Sequence, residues 1–109
     1  SSEPHLDLEL LAELRRRLDV PLVLHGGTGL TEEQFRAAIR GGISKINIFT
    51  DLAVTAYGRI SQAVVADQAG YFSVGAAERQ AFKERALYFL DLFGASGKAP
   101  AAGGANPSA

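Results

Sequence analysis

The amino-acid sequence predicts an α/β fold built on parallel strands, and three observations carry that expectation. Val20 to Leu24 is an apolar run without alternation, the pattern of a strand covered by helices on both faces. A later run, Ile43 to Phe49, does alternate, with Ile46 and Ile48 on one face and Lys45 and Asn47 on the other. The segment between the two runs has helical periodicity, and a connection of that length joins parallel strands by a crossover. An eight-stranded βα barrel takes about 250 residues, so two strands in a chain of 109 residues cannot close one and are compatible with a partial barrel, roughly its final third.

Asp7 is placed to cap a first helix in which Leu8, Leu11, Leu14 and Leu18, with Leu10, share one broad face. The run Arg15, Arg16, Arg17 suits the negative end of that helix, and Pro21 closes it. The first strand then runs into His25 and a loop containing Gly26, Gly27, Thr28 and Gly29. A histidine at a strand's carboxyl end stands where ligands sit in parallel α/β folds. Glycines let the backbone turn sharply and bring its N–H groups close to an anion, although they also serve ordinary tight turns. The threonine hydroxyl and the capped helix behind it favour the anion reading.

Thr31-x-x-Gln34 is a capping box, with Glu32 and Glu33 in the first turn of a second helix that runs to about Arg40. Phe35, Ala38 and Ile39 face inward, and Gly41 with Gly42 reads as a helix stop and nothing more. Asn47 is disfavoured in a strand, which points to a hydrogen-bonding task, while Lys45 is expected to pair with a carboxylate in the barrel interior. Thr50 and Asp51 are expected to cap a third helix, roughly Leu52 to Ala69, with Leu52, Ala56, Ile60, Ala63 and Val64 on its apolar side and Gly70 as its end. Asp51 reads as a cap rather than a catalytic acid. A last helix, roughly Ala76 to Phe93, carries Phe82, Ala86, Phe89, Leu90 and Phe93 at intervals of three and four and stops at Gly94. Residues 1–94 are expected to pack and 95–109, poor in large apolar residues, to form a flexible tail.

A net charge of -1 offers no support for nucleic-acid binding, which needs clustered cations. The absence of cysteine removes any disulfide framework and any thiolate zinc site. No run is long enough to span a bilayer and no signal peptide begins the sequence, so a soluble chain is expected; the missing initiator methionine is compatible with a truncated one.

With LHGGTGL, then KINIFTDL, then LFGASGKA, and the lead-in HLDLELL, the chain resembles the class II ketose-bisphosphate aldolases, the zinc-dependent fructose- and tagatose-bisphosphate enzymes. The match runs from about Pro4 to Ala99. The resemblance implies a TIM (β/α)8 barrel in which Val20 to His25 is strand seven and Ile43 to Phe49 is strand eight, so that this chain supplies the C-terminal βα units. It implies that His25 ligates the catalytic Zn2+ and that Gly26, Gly27 and Thr28 hold a substrate phosphate. The stretch Asn47, Ile48, Phe49, Thr50 falls on the strand-eight motif, whose asparagine and threonine bind the dihydroxyacetone phosphate portion of the sugar. In that family zinc polarises the ketone and stabilises the enediolate. The implied activity is reversible aldol cleavage of fructose- or tagatose-1,6-bisphosphate to dihydroxyacetone phosphate and glyceraldehyde 3-phosphate. It would belong to a cytoplasmic parent, a homo-oligomer at full length, with no nucleic-acid or membrane partner.

The family takes its other two zinc histidines and its acid/base aspartate from earlier strands, so no catalytic residue is expected within this chain. His5 lies before the first helix, where the family has no ligand, and Phe49 is bulky where relatives carry something small. The isolated chain is therefore expected to be inactive. Two other readings stay open: a non-catalytic, phosphate-binding or barrel-completing piece that works with a partner chain, and a purely structural remnant.

Overall fold

Local signals near the start of the chain set the first two helices in the computed structural model, which describes residues 4–66 and 70–99. Helix α1 is Leu8–Arg17, where the Asp7 carboxylate accepts from the Leu10 amide at 2.8 Å. Its last turn holds Arg15, Arg16 and Arg17 against the negative end of the dipole. Leu18 is already extended, so the helix ends ahead of Pro21. Strand β1, Leu22–Leu24, follows. Helix α2, Glu32–Arg40, has both halves of its capping box: the Thr31 amide donates to Gln34 Oε1 at 2.7 Å and the Gln34 amide to Thr31 Oγ1 at 3.2 Å. Strand β2 is Ile43–Ile46.

The two strands pair in parallel, as the crossover length requires, with Leu22 beside Ile43, Val23 beside Lys45 and Leu24 beside Ile46. Both are shorter than the runs that predicted them. The expectation that Val20 to Leu24 is covered on both faces is corrected: Val20 is 54% and Val23 42% exposed, while Leu22 and Leu24 are half-buried. Among the described residues β1 has β2 as its only strand neighbour, and the face carrying Val23 and Lys45 is open to solvent.

Helix α3 is Thr50–Val65 and α4 is Tyr71–Leu92. Thr50 and Asp51 do not cap α3; both lie inside it, and Phe49 holds the cap position without a side-chain hydrogen bond. The described end of α3 is at Ala66, residues 67–69 of the expected helix lie outside the described residues, and Gly70 opens α4 instead of closing α3. Helix α4 begins at Tyr71 rather than Ala76, because Tyr71 and Phe72, 88% and 86% exposed, extend it with apolar residues that face water and so leave no helical stripe to read. It ends in a Schellman motif around Gly94, φ 71°, with the Gly94 amide on the Asp91 carbonyl at 3.0 Å and the Ala95 amide on the Leu90 carbonyl at 2.8 Å. Ala95, and Ser96 through its hydroxyl on Asp91, thus bond back to the helix end, and 100–109 of the expected tail lie outside the described residues.

Leu11, Phe35, Ala38, Ala56, Ala81 and Phe89 are the buried apolar residues. Phe35 of α2 meets Phe89 at 6.0 Å and Phe93 at 5.2 Å between ring centroids, which ties α2 to α4. Arg59 and Glu84, 3.2 Å apart, link α3 to α4. Several residues expected to face inward do not: Leu8, Leu10, Leu14, Leu18, Val64 and Leu90 are exposed, since no described element packs over them. Gly41 does more than stop α2, because a Cβ there would lie 2.7 Å from Leu11 Cδ2, so glycine is what lets α1 approach. The result is a slab, 56 × 47 × 19 Å. Its radius of gyration, 17.9 Å, exceeds the roughly 13 Å of a compact 100-residue domain.

Candidate functional site

Successive residues of a strand alternate faces, so the register that sets Val23 beside Lys45 carries on to set His25 beside Asn47 on the same open face. The Asn47 amide N–H donates to the Leu24 carbonyl at 3.0 Å, extending the pairing one step past β2. The Asn47 side-chain nitrogen then lies 3.1 Å from His25 Nδ1 and 3.5 Å from Nε2. His25 is exposed, and Asn47 is half-buried. Lys45, on the same face, is exposed and forms no ion pair among the described residues; the carboxylate expected to meet it is not on this part of the fold.

The loop after β1 is shaped by its glycines. Gly26 has φ 66°, a left-handed conformation that a side chain would strain, and Gly27 is buried, with the position of a Cβ only 2.8 Å from Phe35 Cε1. The Leu30 amide donates back to the Gly27 carbonyl at 3.2 Å, closing a turn that holds Thr28 at its exposed tip. Gly27, Thr28 and Ile48 line a cavity of about 60 Å³, enough for water-sized groups, which is also walled by Glu32, Asp51, Arg85, Tyr88 and Phe89. Gly26 and Thr50 are exposed and outside that wall, as is Phe49 at 72% exposure, so Phe49 does not fill the cavity. The residues named from the sequence therefore form two groups, His25 with Asn47 on the open sheet face and Gly27, Thr28 and Ile48 around the cavity.

Sequence reasoning missed the polar network on the cavity's far wall. Arg85 grips Asp51 through two donors, Nε to Oδ1 and Nη2 to Oδ2, the latter at 3.0 Å. Its guanidinium carbon sits 4.4 Å from the centre of the Tyr88 ring and 4.8 Å from that of Phe89. The Tyr88 hydroxyl donates to Glu32 Oε1 at 2.7 Å, and Arg36 Nη2 donates to Glu32 Oε2 at 2.9 Å. Hydrogen bonding to Asp51 raises the Arg85 pKa further above its ordinary value. The Tyr88 hydroxyl, aided by Arg36, holds the Glu32 carboxyl below the usual range, and the same bond pushes the Tyr88 phenol up. One signal could have found Arg85: with Phe82 and Phe89 it falls at intervals of three and four, a charge on the apolar stripe of its helix.

Zinc in a catalytic site takes about three protein ligands. Among the described residues no three of His, Asp or Glu stand close enough to hold a metal ion. The described donors do not by themselves fit a zinc ion, and His25 can offer one imidazole at most.

The sequence profile of the family described as fructose-bisphosphate aldolase class-II matches residues 1–98. The chain is 40% identical over 99 residues to the uncharacterized protein YdjI of Escherichia coli (strain K12), an alignment that covers 91% of this chain and 34% of YdjI. It superposes on the crystal structure of the YdjI aldolase from Escherichia coli K12 with a TM-score of 0.83 at 38% identity, over 90% of this chain and 37% of that one. The chain thus spans about a third of the length of the relatives it matches.

Proposed function

The chain belongs to the class-II fructose-bisphosphate aldolase family, and on that premise we propose that it supplies the last two βα units, strands seven and eight, of a TIM barrel that cleaves a ketose bisphosphate by a reversible aldol reaction. The substrates of that reading are fructose- or tagatose-1,6-bisphosphate and the products dihydroxyacetone phosphate and glyceraldehyde 3-phosphate. Gly26, Gly27 and Thr28 offer backbone N–H groups and a hydroxyl to a substrate phosphate. Asn47 and Thr50 hold the dihydroxyacetone phosphate portion, with Ile48 and Phe49 flanking it. His25 is one ligand of a zinc set whose other members come from the part of the barrel that this chain does not span. The general acid/base also comes from there, and its absence alone would lower the rate roughly a hundredfold to ten-thousandfold.

The observation that carries this reading is the register of β1 and β2. It brings Asn47 to 3.1 Å from His25 and sends both loops away from the same, carboxyl, end of a parallel sheet, where βα barrels bind phosphates. The test is an assay of the purified chain with zinc, alone and co-expressed with the N-terminal part of a related aldolase. The expected result is no cleavage by the chain alone and zinc-dependent cleavage by the completed barrel, lost in His25→Ala. Cleavage by the chain alone would refute the shared site. A second reading, a barrel-completing piece without a role in the chemistry, is equally compatible with the lack of a three-donor cluster among the described residues. It requires completed-barrel activity that survives His25→Ala.

A further inference from the structure

The cavity beside Thr28 carries two carboxylates, Glu32 and Asp51, yet the proposed ligand of the adjoining loops is an anion. An unpaired carboxylate within a few ångströms of a phosphate repels it strongly in a partly dry site. Each of these carboxylates is held by a guanidinium, Glu32 by Arg36 at 2.9 Å and Asp51 by Arg85 through both of its oxygens. The two arginines differ in origin. Arg36 is a turn away from Glu32 on α2, whereas Arg85 reaches Asp51 from another helix, 34 residues on in sequence. The Arg85–Asp51 pair is also the less exposed, with side chains 32% and 29% accessible. Asp51 lies in the first turn of α3, directly after Thr50, and Phe49 in the cap position makes no side-chain hydrogen bond.

We propose that Arg85 is a positioning residue for the phosphate: by neutralising and fixing Asp51, it allows the loops carrying Thr28 and Thr50 to accept an anion. The proposal rests on the reading of those loops as phosphate-binding. The geometry gives Arg85 its fixed place, since Tyr88 and Phe89 lie within 4.8 Å of its guanidinium carbon and leave the fork aimed at Asp51. A mere structural tie and a charge-cancelling device make opposite demands on the two partners. Both Arg85→Ala and Asp51→Asn break the same ion pair, but only the first leaves an uncancelled negative charge beside the anion.

The experiment titrates inorganic phosphate, at constant ionic strength, into the 109-residue chain co-expressed with the N-terminal part of a related aldolase, following the amide signals of Gly27, Thr28 and Thr50 by NMR, with helix content checked by circular dichroism. The variants are Arg85→Ala, Asp51→Asn, the double variant and Arg85→Lys. The expected result is affinity weakened by on the order of tenfold in Arg85→Ala, unchanged or tighter in Asp51→Asn, restored in the double variant and kept within about threefold by Arg85→Lys. The loss in Arg85→Ala should shrink at high salt. Equal weakening in Arg85→Ala and Asp51→Asn, in step with lost helix, would overturn the proposal and leave the pair a structural tie. Absence of phosphate binding by the completed barrel with the unmodified chain would instead overturn the phosphate reading of the loops, and this inference with it.

Discussion

Gly26 and Gly27 are adjacent and resist substitution for different reasons. Gly26 sits at φ 66° with nothing within 4 Å of a Cβ, so Gly26→Ala meets backbone strain alone, about 1–2 kcal/mol. Gly27 has an ordinary backbone but no room: its Cβ would meet Phe35 Cε1 at 2.8 Å and Cζ at 3.1 Å. Gly27→Ala should therefore cost about 1–3 kcal/mol through displacement of a buried ring, and Phe35→Leu should relieve part of that loss while Gly26→Ala gains nothing from it. Urea unfolding of the completed barrel checks both. Tyr88 and Glu32 make a pH-dependent contact. A carboxyl depressed in the fold adds stability above its unfolded value, 4.5, and loses it as pH falls; a phenol raised in the fold adds stability below its unfolded value, 10.0, and loses it as pH rises. The bond thus favours the fold between those limits and fades beyond each. Tyr88→Phe should move the Glu32 pKa up toward the ordinary carboxylate value, read from the NMR titration of its side-chain carboxyl carbon; an unmoved midpoint would refute the role given to the hydroxyl.

Helices announced by a side-chain cap were legible in the sequence and those without one were not. Asp7 and Thr31 mark the starts of α1 and α2 to the residue, because each satisfies orphan amides through its own short side chain. Helices α3 and α4 start behind Phe49 and Gly70, which make no such bond, and both starts were misplaced. The strands were legible, one as an apolar run and one by its alternation, but their lengths were not, since pairing ends where a partner strand ends. The same division holds for the site. His25 and Asn47 could be paired on paper because strand alternation is local, whereas Glu32, Asp51, Arg85 and Tyr88 converge only through the packing of α2 and α3 against α4. At this scale Thr31→Ala should weaken α2 by about 1 kcal/mol, seen as lower helix content with the Thr31–Gln34 exchange of hydrogen bonds gone. An unchanged signal would mean that tertiary packing alone sets that helix start.

The described residues form a sheet with one open face and long helices that leave many large apolar side chains in water, among them Val23, Tyr57, Val65, Tyr71 and Phe72. Burial that incomplete gives little free energy to set against chain entropy. The chain by itself should melt over a broad range by calorimetry and sharpen when the barrel is completed; a sharp cooperative transition of the dilute monomer would contradict this. A slab 19 Å thick has a further consequence for the order in which its parts open. In most α/β proteins the central strands are the last backbone amides to exchange with heavy water, because helices bury them on either side. Here one face of the two strands is bare among the described residues, while Ala56 and Ala81, the buried alanines of α3 and α4, pack between helices. Deuterium should therefore enter β1 and β2 before the middle of the α3–α4 pair, and that order should reverse once the remaining strands cover the open face.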